Sequence, residues 1–472
     1  MNTKIIGRKL EMNRIQELYD SEKPEFITLY GRRRVGKTFL IREFLGEKFV
    51  FDLAGLAKSG ITKQLLNFHY SLKSVAVQDF AVPSSWLEAF EQLIAFLKTS
   101  PVKRKVIFID EISWLDTKKS GFLTALEHFW NGWACSKRDI MLIVCGSATS
   151  WIINNLINNC AGLYNRVTAS IQLFPFTLNE TEQFLRSKNI VWSHYQIAET
   201  YMIMGGIPFY LEKIKKGKSV AQNIDNLFFN RGGELQNEFS NLYASLFNNS
   251  KDYEKIVEIL SGKRLGLTRK EIIAKAKMKS GKRMTKILND LEYSGFIRSY
   301  LQPKRKNEQI FQLIDSFTLF HFHFLNKKKS LKERFWTNSL NTSQHNVWAG
   351  LSFEMVCLLH TNEIKKKLEI FGVQSTEYAW ISRKSEPAVQ IDLLIDRADN
   401  IVNLCEIKYA NMKYAITKDY EEKLREKIEI FRQEIMPRKA IHLLMLTTFG
   451  VKQNIYSGII QNEVTLDDLF VG

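Results

Sequence analysis

Eight residues, Gly31-Arg32-Arg33-Arg34-Val35-Gly36-Lys37-Thr38, limit what this chain can fold into more than any other feature. They follow a β-prone apolar run at residues 26–30. They precede residues 39–45, beginning with Phe39, whose apolar positions have helical spacing. Two glycines around four residues, then Lys-Thr, between a strand and a helix, describe a loop that wraps a phosphate chain. Glycine leaves no side chain in the way, and the N–H groups at the helix start point at the anion. In such a loop Lys37 bridges the β- and γ-phosphates and the Thr38 hydroxyl ligates Mg²⁺.

A loop of this kind predicts an acidic strand end downstream. Residues 106–109 are four apolar residues of a buried parallel strand, followed by Asp110 and Glu111. Asp110 is expected to hold Mg²⁺ through water, and Glu111 to orient the attacking water as general base. The paired acids point to ATP hydrolysis, and no guanine-reading tetrapeptide is apparent. The next buried strand, 140–145, ends in Gly146-Ser147-Ala148-Thr149. Ser147 or Thr149 either senses the γ-phosphate or caps the following helix. Arg166, before an apolar strand at 171–174, either neutralises triphosphate charge or is a surface arginine. Gly205-Gly206 ends a helical region at 178–204 and leads into Pro208. That turn either approaches the nucleotide base or only stops the helix.

These segments resemble the archaeal-type P-loop ATPases, an ASCE-class group related to AAA+ and STAND proteins. The match runs through Gly7-Arg8…Glu11, the glycine loop, 107–111, 145–151, 165–176 and 205–211, about residues 1–215. The resemblance implies ATP binding and hydrolysis. It also implies that Gly7 and Arg8 lie near the adenine and that Pro208 contacts the nucleotide from a lid.

At 472 residues the chain is long enough for two or three domains. Its 45% hydrophobic and 25% charged residues exclude a disordered or collagen-like chain. No apolar run is long enough to cross a bilayer, so no membrane partner is expected. The first residues lack a signal-peptide core, and Cys135, Cys145, Cys160, Cys357 and Cys405 form no CxxC pair. Both features lead us to expect a cytoplasmic protein with reduced thiols.

The net charge is +17, and the excess is concentrated. Residues 261–310 hold fourteen basic and four acidic residues, a local charge of +10. Such a block suits a polyanion, here double-stranded DNA. Residues 251–260 read as a helix. Thr268 and Glu271 form a capping box that opens a second. A third, 281–293, carries Lys282, Arg283 and Lys286 opposite an apolar face. Two β-prone runs follow, joined by a basic tip with Lys304, Arg305 and Lys306. Three helices and such a hairpin spell a winged helix, whose third helix enters the major groove while the wing reaches phosphates. A winged helix used for protein contacts is the other reading. The archaeal-type ATPases resemble the chain here too, with a winged helix after the ATPase.

In the last third, Glu354 lies on an apolar helix, Asp392 on a strand at 390–396, and Glu406 and Lys408 on a strand at 403–409. Residues two apart on a strand share a face, so Glu406 and Lys408 point the same way, with Asp392 alongside. Carboxylates suit a divalent ion, and a nearby lysine acts on phosphate charge or on water. This set resembles the PD-(D/E)XK nuclease superfamily, with Ile391 where its proline stands. The resemblance implies a metal site of Asp392, Glu406 and Glu354 for Mg²⁺ or Mn²⁺, with Lys408 catalytic. The helix at 420–433, with Lys423 and Lys427, corresponds to the one beside the catalytic strand.

The expected fold is α/β. It comprises a P-loop ATPase core with a parallel sheet (1–175), an α-helical lid (176–245), a winged-helix module (246–320) and a nuclease-like α/β domain (335–472). Two functions fit: an ATPase acting on or regulated by DNA with a metal-dependent nuclease domain, or a STAND-like ATPase switch with an inactive nuclease fold. The second would act through a protein partner or self-association, and its winged-helix basic residues would pair internally.

Overall fold

Apolar runs bounded by turn residues make the first sheet. Its strands are β1 (Glu25–Tyr30), β2 (Phe49–Ala54), β3 (Lys105–Asp110), β4 (Ile140–Gly146) and β5 (Ala169–Gln172). The computed structural model describes residues 5–158, 162–247, 249–302, 308–326, 333–382, 385, 388–436 and 438–471. The order is β2-β3-β4-β1-β5, all parallel. Because β4 separates β1 from β3, the carboxyl ends of these three strands lie side by side, where α/β sheets bind ligands. Helices Ile61–Lys73, Trp86–Thr99 and Phe122–Gly132 contribute Phe68, Trp86, Phe122 and Phe129 to the core. The Trp86 and Phe122 rings meet edge-on at 5.0 Å.

The last strand begins two residues earlier than its apolar pattern indicates. β5 is an edge strand, so its polar residues still pair: Ser170 stands opposite Thr28 and accepts its hydroxyl at 3.0 Å. Leu173 still donates to Tyr30 O, but Pro175 has no N–H to continue.

Residues 1–174 and 175–472 form separate compact units. The second opens with two helices, Leu178–Ser187 and His194–Met204, where one helical region was expected. Each starts with a capping box, Thr177 with Glu180 and Ser193 with Gln196. The second ends at Gly205 in the left-handed region, as a glycine C-cap does.

A basic module follows. Helices Ser250–Ser261, Arg269–Ala276 and Lys282–Tyr293 pack with an antiparallel sheet of β6 (Leu267–Thr268), β7 (Ile297–Leu301) and β8 (Gln309–Leu313), in the order β6-β8-β7. The C-terminal sheet contains β9 (Ser375–Ile381), β10 (Gln390–Arg397) and β11 (Ile401–Lys408). After β12 (Tyr414–Ala415) come β13 (Ala440–Thr447), β14 (Val451–Lys452) and β15 (Asn462–Thr465). Its order is β15-β13-β11-β10-β9; β9, β10 and β11 run antiparallel to one another in turn, while β11, β13 and β15 are parallel. Helix Lys418–Ile435 buries Leu424 and Phe431, the latter edge-on to Trp380 at 5.2 Å.

The helical segment, the basic module and this sheet, expected as three domains, lie in one compact unit. Their buried surfaces interlock. Tyr300 and Ile310 of the module share a core with Tyr378, Trp380 and Ile391 of the sheet. Gln302 donates to Ala379 O at 3.1 Å. Leu178 N donates to His360 Nε2, whose own pKa burial lowers to about 4. Among the described residues no helix is long and apolar enough to cross a membrane.

Candidate nucleotide site and a C-terminal carboxylate cluster

β1 delivers the glycine loop, residues 31–36, onto helix Lys37–Leu45. Gly31 has φ +143°, and a β-carbon there would lie 2.2 Å from Leu173 O. Gly36 has φ +92°, where L side chains are strained, and opens the helix as its N-cap. Val35 is buried; Arg32 is buried, whereas Arg33 and Arg34 are half-buried and Phe39 is exposed. Lys37 donates to the carbonyls of Gly31 and Arg32, each at 3.0 Å. Burial pulls its ammonium below the ordinary range, and Glu111 and Asp110 offset part of that. Gly7 and Arg8 both have positive φ, and Arg8 Nη2 donates to Val35 O at 3.2 Å. The turn therefore does lie against the loop.

Gly31→Ala tests this geometry. The clash with Leu173 adds to backbone strain of roughly 1–3 kcal/mol. ATP affinity, measured by fluorescence titration with a labelled analogue, is expected to fall by about tenfold or more. Unchanged affinity would mean that the loop adopts another path when it binds.

Asp110 closes β3 and is nearly buried. Its Oδ2 accepts from Thr38 Oγ1 at 2.7 Å, so the two expected Mg²⁺ ligands touch. Glu111 follows at φ 45°, and this left-handed turn aims its carboxylate at the end of β4. Glu111 Oε2 accepts from Ser147 N at 3.1 Å and from Ser147 Oγ at 3.0 Å. Neither reading of Ser147 anticipated that contact. The residue at the helix N-cap is Ala148, and no side chain caps it. Ser147 is instead engaged by Glu111 and Thr149 is buried inside the first turn, so both capping assignments are corrected. Arg166 is exposed on the turn before β5. Pro208 belongs to the second unit, at the first position of helix Pro208–Leu211. Gly206 ahead of it has φ +65°, and a β-carbon there would meet Phe176 O at 2.2 Å.

In the basic module Lys282 is exposed. Arg283 pairs with Asp252, and Lys286 with Asp290 at 3.0 Å. Two of the three expected nucleic-acid contacts on the helix are thus paired internally. Lys304, Arg305 and Lys306 lie outside the described residues.

The C-terminal charges are brought together by the β10–β11 hairpin. Leu393 pairs with Cys405, so Asp392 and Glu406 occupy the adjacent cross-strand position. Glu354 projects from helix Ser343–Leu359, which packs on β11. Arg264, which in the sequence is only one member of the basic block, pairs with both Glu354 and Asp392. Glu406 is held from the other side. Lys408 lies 2.9 Å from Oε1, Lys427 donates to Oε2 at 2.8 Å and Tyr420 donates its hydroxyl to Oε1 at 2.6 Å. Burial would raise Glu406, but the two lysines and the Tyr420 hydrogen bond outweigh it and hold the carboxyl at about 2. Burial, with Asp392 nearby, pushes Glu354 up to about 8 even though Arg264 binds it. Lys423, on the same helix as Lys427, is exposed.

Three carboxylates therefore face three cations. Among the described residues, no three or more of His, Cys, Asp and Glu are gathered as a metal ion would need. The expected metal site of Asp392, Glu406 and Glu354 is corrected to a network of ion pairs, because Arg264 and the two lysines neutralise its acids. The signal for Lys427 and Tyr420 was their seven-residue spacing, which places both on one face of a helix. Arg264 offered no local signal.

Residues 5–214 match the family described as an ATPase domain predominantly from Archaea. An uncharacterized protein of Methanocaldococcus jannaschii is 23% identical over 412 residues, 86% of this chain and 88% of its own. An uncharacterized ATP-binding protein of the same organism is 46% identical over 43 residues, 9% of this chain and 73% of its own. Among solved structures, the Walker-type ATPase of Pyrococcus abyssi has a TM-score of 0.48 at 18% identity, covering 67% of this chain and 96% of that one. The Aeropyrum pernix ORC2 protein, solved with ADPNP and ADP, has a TM-score of 0.42 at 12% identity, covering 68% and 93%. The glycine loop, Thr38 against Asp110, and Glu111 beside them agree with the family match: over residues 5–214 the chain carries a P-loop ATPase domain of the kind found predominantly in Archaea.

Proposed function

We propose that the chain hydrolyses ATP with Mg²⁺ and acts on, or is regulated by, double-stranded DNA through its basic module. The module is read as a winged helix from its order of three helices and a hairpin. The observation that carries this reading is the +10 segment at 261–310, folded as one module and packed on the C-terminal sheet. In the nucleotide site Thr38 and Asp110 would hold Mg²⁺, Glu111 would orient water and Lys37 would bind the phosphates. Gly7, Arg8 and Pro208 are assigned to the nucleotide, Ser147 to positioning Glu111, and Arg166 to phosphate charge. The C-terminal domain is read as a nuclease-like fold whose acids are closed by ion pairs, with Lys408 the residue that would act on phosphate.

The pairs Arg283–Asp252 and Lys286–Asp290 favour a second reading. In it the ATPase is a signalling switch, the nuclease fold is inactive and the module meets a protein partner. Filter binding of duplex DNA across a salt series separates the two. Affinity that falls steeply with salt supports the first; no measurable binding supports the second. Neutralising Lys282, Arg283 and Lys286 together is expected to flatten the salt slope by about one unit for each phosphate that these side chains neutralise. An unchanged slope would make this helix a solvated face.

A further inference from the structure

Arg264 stands where the C-terminal acids would receive a cation. It binds Glu354 through Nε and Nη2 and Asp392 through the same Nη2. Asp392 is buried, yet its Oδ1 has no hydrogen-bond partner. A buried carboxylate oxygen without a donor is costly, and it marks a place for a further ligand. Beside it is a cavity of about 200 Å³, lined by Arg264, Glu354, Asp392, Met355, Leu358 and His323, among others. The space, an oxygen donor and a second carboxylate are already present. The guanidinium uses the remaining charge.

The charge balance makes this exclusive. Glu354, Asp392 and Glu406 face Arg264, Lys408 and Lys427, so a divalent ion entering the full set would leave buried positive charge in excess. Withdrawing Arg264 leaves a net negative site with oxygen donors, which suits a hard cation.

Arg264 is also tied to the basic module. Gln312 of β8 donates to Arg264 O at 2.7 Å, and Tyr300 of β7 donates its hydroxyl to Leu265 O at 2.6 Å. Gly266 has φ +79°, and a β-carbon there would strike Phe311 O at 2.2 Å. The loop carrying Arg264 is therefore fixed to the module's sheet, while its side chain reaches the C-terminal sheet. We infer that Arg264 is an intramolecular cation that keeps divalent metal out of the Glu354–Asp392 site, and that displacement of the basic module opens it. The inference rests on the nuclease-like reading of the C-terminal domain and names how that site is controlled. A ligand that prefers the withdrawn module would strengthen metal binding by the same factor that metal strengthens its own.

Calorimetric titration of the full chain with Mn²⁺, without ATP, tests this. Arg264→Gln is expected to bind Mn²⁺ about tenfold or more tightly than wild type, within the usual range of coupling between exclusive states. Adding Asp392→Asn should remove that binding. Arg264→Lys keeps the charge without the planar fork and should fall between the two, so it decides the question if Arg264→Gln does not fold. Equal Asp392-dependent affinity in wild type and variants would overturn the gate and leave the metal reading intact. Folded Arg264→Gln and Arg264→Lys proteins that bind no Mn²⁺ would overturn both.

Discussion

Glu111→Gln is expected to bind ATP as wild type does and to hydrolyse it about 10²–10⁴-fold more slowly, the usual contribution of a positioned general base. The separation follows from where the side chain points. Phosphate contact belongs to the loop, where Lys37 and the backbone amides at the helix start lie. Thr38 and Asp110 touch each other without Glu111. Glu111 instead directs Oε2 at Ser147, and its left-handed backbone fixes that aim. Glutamine keeps the length and can still accept from Ser147, so fold and nucleotide binding are preserved. What it loses is the negative charge that withdraws a proton from water. The measurement is single-turnover hydrolysis beside equilibrium ATP binding. Turnover at the wild-type rate would remove Glu111 from the reaction; weakened binding would place it on the nucleotide.

The nucleotide site was legible because its parts are local. The glycines, Lys37 and Thr38 lie in one loop, and the acids close an apolar strand whose burial any parallel sheet imposes. β4 between β1 and β3 was not legible, since order in a sheet is a property of the whole fold. The contact between Ser147 and Glu111 depends on that order. The C-terminal charges were found because strand alternation places Glu406 and Lys408 on one face. Their partners were not. Arg264 reaches Glu354 across 90 residues and Asp392 across 128, from a loop whose composition reads only as basic. The basic helix shows the same limit. Its apolar face at Met284, Ile287, Leu288 and Leu291 is a periodic signal, but pairing of Arg283 with Asp252 requires the first helix of the module to be packed beside it.

Glu406→Gln is expected to destabilise the second unit by about 3 kcal/mol, the low end of the cost of breaking a buried ion pair. The carboxylate is nearly buried and serves Lys408, Lys427 and Tyr420 at once. Without its charge two ammonium groups are left beside an apolar sheet. Both keep about a quarter or more of their side-chain surface in water, 30% and 24%, which is why the low end applies. The loss should depend on pH in one direction. The native carboxyl sits at about 2 against an ordinary 4.5, so its stabilisation is complete above the ordinary value and disappears as pH falls toward 2. The gap in melting temperature between wild type and Glu406→Gln should be widest near neutral pH, narrow below about 4.5 and close near 2. Scanning calorimetry of both proteins across that range is the measurement. A gap that stays constant with pH would show that altered packing, and not the missing charge, explains the variant. Wild-type melting at neutral pH would show that the lysines find other partners and that the network does not hold this part of the fold together.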